Sequence, residues 1–233
     1  MAGGKRVKFQ NTRIQFLVGW SADSPSGVVS AISKADPAVV SETAHGRVDG
    51  DVVRITGALG MTEVNGIPFV VNQTESGTYE LLDVDSRAYG TYTSGGVADL
   101  ALFSTLCELT GFNRTGGTSP EIPATSQCSD AQEFEIGLPD FGTAQVDFNY
   151  APDVAVQQAI EAAYLAGSPF AYRINYYTGK AAIDAGTPYA FAIGFGTVQQ
   201  TNEQGAVGGL WTGSFTIRST GKRYVFVNGA QVS

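Results

Sequence analysis

The sequence predicts a mainly β, largely antiparallel protein with one packed helix and a small β-domain inserted near its start. Three observations point there. First, β-branched and aromatic residues recur in short runs, and breakers, 29 glycines among them, end the runs every eight to fifteen residues. Second, a single segment carries the start signal, apolar stripe and stop signal of a helix. Third, charge is segregated. Residues 36–99 hold 10 acids and 3 bases, the remaining residues hold 12 acids and 11 bases, and nearly all of the net charge of −8 therefore lies in one stretch.

Residues 6–18 are the first strand. Val7 and Phe9, then Ile14, Phe16 and Val18, alternate with polar residues, and the break in phase near Asn11 marks an irregularity. Residues 21–27 form a loop rich in Ser, Asp, Pro and Gly. Short strands follow at 28–34, 38–43, 52–56, 68–72 and 79–82, separated by Asp49-Gly50, Asn65-Gly66 and Ser76-Gly77. Asn, Asp and Gly tolerate the positive φ of tight turns. Ser94-Gly95-Gly96 closes this stretch as a hinge. The expected organisation is an inserted module, 28–98, within a discontinuous domain made of 1–27 and 99–233.

The third region opens with 100–112 and continues through a long loop, 113–127, rich in Gly, Thr, Ser and Pro. A hairpin is expected next, with arms 133–137 and 143–150. Period two puts Phe134, Ile136, Val146, Phe148 and Tyr150 on one face and Glu133, Glu135 and Asp147 on the other. The helix is 154–166, with Asp153 as N-cap, Gly167 as stop, and Val156, Ala159, Ile160, Ala163 and Tyr164 as its apolar stripe. Strands at 170–177, 189–199, 210–218 and 223–227 complete the order. In 191–196 large residues alternate with very small ones, which leaves room for a bulky neighbour, either another chain or a packed sheet of this one.

Few kinds of chemistry fit this composition. No apolar run approaches the roughly 20 residues that span a bilayer. Residues 1–13 lack the pattern of a secretory signal, so folding in the cytoplasm of the producing cell is expected. In that setting Cys107 and Cys128 are expected to be buried thiols. The negative charge argues against a protein that wraps nucleic acid. The one histidine, His45, is far in sequence from both cysteines, and no Gly-x-Ser-x-Gly elbow is present, so it is expected in a structural or turn role. One His and two dispersed Cys make no usual zinc set. Asp83-Val84-Asp85 lacks the Gly and terminal Glu of a calcium loop and reads as strand-end charge. Gly57-Ala58-Leu59-Gly60 lies between strands and opens no helix. Glu133, Glu135 and Asp147 could act as paired carboxylates in a glycosidase, but three acids on one strand face read as a solvated face. No catalytic residue, metal or cofactor is expected.

Two stretches resemble known families. Cys107-Glu108-Leu109-Thr110-Gly111, Gln127-Cys128-Ser129-Asp130-Ala131-Gln132-Glu133-Phe134, Gly137-Leu138-Pro139-Asp140-Phe141-Gly142 and Gly208-Gly209-Leu210-Trp211-Thr212-Gly213-Ser214-Phe215-Thr216-Ile217 stand in the order found in tail tube proteins of long-tailed phages. The likeness covers roughly residues 100–227. Pro37-Ala38-Val39-Val40, Ala44-His45-Gly46, Asp49-Gly50-Asp51-Val52-Val53, Gly60-Met61-Thr62-Glu63-Val64-Asn65-Gly66, Glu80-Leu81 and Tyr92-Thr93-Ser94-Gly95-Gly96 resemble the small β-barrel module named from the ubiquitin-activating enzyme, the FCCH-type domain. That module carries neither the adenylation machinery nor the active cysteine of its namesake.

The resemblance implies a tail-tube-type β-sandwich or barrel and a structural virion protein, not an enzyme. Its partners would be copies of itself in six-fold rings stacked into a tube, and other phage tail proteins. Double-stranded DNA would pass through the lumen without specific binding. The location would be the virion tail, with host cytoplasm during assembly and no membrane. Glu133, Glu135 and Asp147 would face the lumen and repel phosphate. The loop 113–127, with Asn113, Gly116, Gly117 and Thr118, would reach the next ring, and the module would sit outside. The alternatives are another tail component of tube-like fold, such as a tail-end, hub or adapter protein, and a surface carbohydrate-binding or adhesin module.

Overall fold

The computed structural model describes residues 7–21, 28–180 and 188–232. The start of the first expected strand, Arg6, and nearly all of the expected loop 21–27 lie outside them. The protein is mainly β with one α-helix, and the strands pair antiparallel. In chain order the strands are β1 (Lys8–Ser21), β2 (Ala31–Ile32), β3 (Ala38–Ser41), β4 (Val52–Leu59), β5 (Pro68–Glu75), β6 (Thr78–Leu81), β7 (Ser94–Thr105), β8 (Leu109–Arg114), β9 (Glu121–Pro123), β10 (Phe134–Ile136) and β11 (Thr143–Asn149). The helix α1 (Ala155–Ala166) follows, then β12 (Phe170–Tyr177), β13 (Ala190–Gln204), β14 (Thr212–Ser219), β15 (Tyr224–Val227) and β16 (Ala230–Gln231). By internal contacts Met1–Leu106, Ala171–Ile193 and Arg223–Ser233 make one compact unit, and Cys107–Phe170 with Gly194–Lys222 make the other.

In the first unit the strand order is β2-β3-β6-β5-β4-β7-β1-β12. Residues 29–98 carry a core of their own, in which Val40, Ile55, Met61, Tyr79 and Leu81 are fully buried. Ser94-Gly95-Gly96 is not a free hinge. These residues begin β7, and both glycines hold positive φ, 78° and 97°. β7 then serves two partners in succession. Residues 94–100 pair with β4, Leu59 opposite Ser94 and Val53 opposite Leu100. Residues 100–105 pair with β1, Ser21 opposite Leu100 and Gln15 opposite Thr105. Arg54 of β4 spans the same junction, with an ion pair of 3.3 Å to Asp99 and its guanidinium 4.6 Å from the ring centre of Trp20 on β1.

The expected irregularity in β1 is present. Lys8 is opposite Tyr177 and Arg13 opposite Asn175, so the register slips between them, and Asn11 takes a left-handed φ of 69°. Elsewhere in this unit the Asp49-Gly50 turn presses on two aromatics. A Cβ on Gly50 would lie 2.5 Å from the Phe191 ring, which itself stacks on Phe226 at 4.9 Å. Asp51, next in the chain, has its pKa raised by burial, against lowering contributions from the Val48 N–H and from Arg173.

The second unit orders the later part of β13, then β14, β11 and β8. Ala144, Val146, Phe148, Val198, Phe215 and Ile217 make its buried face. Gly213 is opposite Phe148, and a Cβ there would meet the Phe148 ring at 2.5 Å, so a glycine is required beneath it. Gly196 answers the question raised by the large–small alternation, because the strand packed against it is β14 of the same chain, at Ile217 and Arg218. The helix starts one residue later than expected and without an Asp153 cap. Val154 is the N-cap residue and makes no side-chain cap bond. Gln157 tethers this end instead: its Oε1 accepts from the Ala151 N–H at 2.9 Å and its Nε2 donates to the Asn149 carbonyl at 3.1 Å. Gly167 stops the helix at φ 58°, as expected, and Tyr164 of the expected stripe is exposed.

Candidate functional site

Two features of the second unit stand out. The first is the sheet face opposite the buried one. Register places its side chains in cross-strand rows. Asn113 (β8), Gln145 (β11), Thr216 (β14) and Gln200 (β13) make one row. Gly111, Asp147, Ser214 and Asn202 make the next, and Asn149, Thr212 and Gln204 a third. Amides and hydroxyls thus cover the face, with one carboxylate among them. Gln145 Nε2 donates to Asp147 Oδ1 at 3.2 Å, and Gly111 leaves the space that this carboxylate occupies. A depression of about 560 Å³ is lined by Asp147, Asn202 and Ser214 of these rows and also by Phe148, Glu203 and Gly213, which alternate to the other face. On the paired residues of these four strands the one cation on this face is Arg218, and it is bound to Asp140 at 2.8 Å. The Gly142 N–H, with Arg218 beside it, holds Asp140 below the ordinary carboxylate range.

The second feature is a two-stranded ribbon. The β8–β11 pair continues outward through bonds between Thr115 and Thr143, Thr118 and Asp140, and Pro120 and Gly137, then through β9–β10, to a turn at Ser126–Ser129. The expected hairpin of 133–137 with 143–150 is therefore not formed. Both segments lie on the same leg of the ribbon, with residues 138–142 a bend between them. β10 pairs with β9, and β11 pairs with β14 and β8. Every residue of β9 and β10 is exposed. Ile122, Phe134, Ile136 (82% exposed) and Leu138 (89%) leave apolar surface on the ribbon with no partner in the described chain. Pairing puts Ile122 beside Glu135 on one side and Phe134 and Ile136 on the other, so both sides are apolar in part. A two-stranded ribbon with no covering layer is marginal in water.

These features separate the predicted residues. Asp147 lies on the polar face, while Glu133 and Glu135 lie far out on the ribbon, Glu133 accepting from Ser129 Oγ at 3.0 Å. Asn113 belongs to β8 and the polar face. Gly116 follows β8, and Gly117 and Thr118 form the ribbon base, with Thr118 bridged to Asp140. Sequence reasoning missed Gln200, Asn202, Gln204, Thr212, Ser214 and Thr216. Their signal was an unbroken polar run in 200–204, beyond the expected strand end at 199, and the alternation of Thr, Ser and Thr with Gly and Phe in 212–216.

Cys107 and Cys128 are exposed, not buried. Each occupies a tight turn, one between β7 and β8 and the other at the ribbon tip, where no core reaches. His45 is structural. Its Nδ1 accepts from the Arg47 N–H at 2.9 Å, which leaves Nε2–H to donate to the Glu75 carbonyl at 3.0 Å. Around it, Arg47 binds Glu42 and the Ala98 carbonyl, and Tyr79 donates to Glu42, all buried. Burial beside Glu42 pushes the Tyr79 phenol well up. Asp83 and Asp85 are exposed, as expected of strand-end charge. Among the described residues no group of His, Cys, Asp and Glu is placed to hold a metal, and no helix is long and apolar enough to cross a membrane.

Comparison with known proteins gives a family match over part of the chain and likenesses to solved structures. Residues 38–100 match the family model of the ubiquitin-activating enzyme E1 FCCH domain. No curated protein matches the chain. Among solved structures the chain is similar to the SPP1 tail tube, determined by solid-state NMR and cryo EM, with 18% identity and a TM-score of 0.40 over 55% of this chain and 69% of that one. It is also similar to a type six secretion system protein, with 11% identity and a TM-score of 0.32 over 78% of this chain and 90% of that one.

Proposed function

We propose that this chain is a structural virion protein of the tail-tube kind, which polymerises as stacked six-fold rings into the tube of a long-tailed phage and forms the conduit for DNA ejection. The observation that carries this reading is the polar sheet face: rows of amides and hydroxyls, one carboxylate, and no unpaired cation on its paired residues. A surface past which DNA slides must stay hydrated yet not hold phosphate. Lys and Arg hold phosphate through counterion release; here the one cation, Arg218, is paired with Asp140, and Asp147 adds negative charge, which keeps the wall slippery. The motifs of residues 107–217 that resemble tail tube proteins fall on this sheet and its ribbon.

The ribbon supplies the second half of the reading. Exposed apolar residues on a thin two-stranded arm call for a partner, and a neighbouring ring provides one. Glu133 and Glu135 belong with that contact, and Asp147 with the lumen. β8, last in its sheet order, offers a free edge that the next copy closes. The module of residues 28–98 lies on the tube exterior, where its excess of acid keeps tubes apart. The role is structural, without catalysis, in the virion tail and in host cytoplasm during assembly.

Negative-stain microscopy of the purified full chain tests this. Long hollow tubes are expected. A strict monomer at high concentration contradicts the reading, and single rings that never stack favour an adapter or tail-end role.

A further inference from the structure

Two segments of the chain are opposite in charge. Residues 115–139, which make the ribbon, hold four acids (Glu121, Asp130, Glu133 and Glu135) and no base. Residues 1–22 hold four bases (Lys5, Arg6, Lys8 and Arg13) and no acid, in a chain whose net charge is −8. Each segment also exposes apolar side chains: Ile122, Phe134, Ile136 and Leu138 on the ribbon, Val7 and Phe9 at the start of β1. The start of β1 has a strand on one side only. β12 pairs with it from Lys8 to Phe16, but β7 first meets it at Gln15, opposite Thr105. Among the described residues no other strand pairs with β1. Residues 8–13 therefore border the sheet on the side away from β12. The register slip and the left-handed Asn11 fall within them. A bulged edge of this kind resists in-register addition of another strand, so a partner there is held by side chains.

We propose that the ribbon of one copy docks along the first half of β1, residues 7–13, of a second copy. The inference rests on the self-assembly proposed above and names the surface that receives the ribbon. Charge selects the pairing. Ribbon against ribbon sets four acids against four, and β1 start against β1 start sets four bases against four, so two copies do not pair through like surfaces. Ribbon against β1 sets opposite charges together. Exposed ion pairs are each worth little, so the apolar side chains supply the adhesion: Val7 and Phe9 against the Phe134 and Ile136 side of the ribbon removes apolar surface of both copies from water. Duplex DNA would satisfy the bases but leave Val7 and Phe9 exposed. Because donor and receiver are different surfaces, the contact runs head to tail. A pair of copies still has one unused ribbon and one unused β1 start, and growth continues past the dimer.

Sedimentation velocity on the full chain tests this, with Glu133→Lys/Glu135→Lys as the ribbon reversal and Lys8→Glu/Arg13→Glu as the β1 reversal. Each reversal alone should raise the concentration at which long assemblies grow about tenfold or more. An equimolar mixture of the two chains should grow at the parent's concentration. The basic ribbon of one then meets the acidic β1 of the other, and the acidic ribbon of the second meets the basic β1 of the first. A single chain with all four changes should recover likewise. Glu133, Glu135 and Arg13 are exposed, so circular-dichroism melting should stay unchanged, and recovery on mixing itself shows that both reversed chains are folded. Growth of either reversed chain at the parent's concentration, no recovery on mixing, or binding of a duplex oligonucleotide by the parent and not by Lys8→Glu/Arg13→Glu would each overturn the docking. Microscopy separates it from the tube reading. Hollow tubes from both reversed chains remove the docking and leave the tube, recovery on mixing without hollow tubes keeps the docking and removes the tube, and a parent that stays monomeric overturns both.

Discussion

At Gly50 the backbone holds φ 80°, and a side chain would strike the Phe191 ring at 2.5 Å. Gly50→Ala therefore combines backbone strain with overpacking, and a loss of about 2–5 kcal/mol is expected from denaturant unfolding. Gly66→Ala is the control. It has a similar φ of 79° but nothing within 4 Å, so only the backbone cost of about 1–2 kcal/mol remains. A second residue-scale prediction concerns pH. The Arg87 side chain donates to Asp85 and holds its carboxyl down at about 2. A depressed carboxylate pKa contributes stabilisation that is full above the unfolded-state value and lost as pH falls toward the folded one. The protection factor at residues 85–87, exchange measured against the intrinsic rate at the same pH, should thus fall from the ordinary carboxylate range down to about pH 2. Asp85→Asn should remove that pH dependence, and an unchanged profile in this variant would refute the assignment.

Among the elements, the ribbon is the most exposed to test. Phe134→Ser with Ile136→Ser should leave subunit stability within about 0.5 kcal/mol, because neither side chain is buried. The same variant should fail to form tubes in the microscope, and normal tubes would remove the ribbon from the assembly contact. The ribbon also marks where local pattern stopped being informative. β12 is found at the expected residues, and α1 within one, because a full period and a stop residue are local signals. Alternation in 133–150 correctly announced extended chain but said nothing of partners. β11 pairs with β14, some seventy residues later in the chain, and no short-range pattern encodes that choice. Likewise the acids were legible as period-two positions, yet only Asp147 joins the polar face, since that face is assembled from four strands. Cys107 and Cys128 were misread because burial was inferred from residue type, while turns set their exposure.

For the whole molecule, the polar face makes the sharpest prediction. Gln145→Lys with Asn202→Lys places two cations in adjacent rows, on the two strands that flank β14. If this face lines a tube, assembly should survive and the tubes should retain double-stranded DNA at low salt, releasing it as salt rises. Tubes that retain no more DNA than the parent would place the face elsewhere. Both positions are solvent-facing, so monomer stability should change little.

The strand β7 has a mechanical consequence. One continuous backbone is bonded to β4 over its first half and to β1 over its second. A tug along that strand loads its rungs together, in shear, instead of opening them one after another like a zip. The Arg54 brace stiffens the point where the two sets of rungs meet. The acidic module therefore behaves as a handle riveted to the strands beneath it, not a bead on a tether, and drag on it is passed directly into β1.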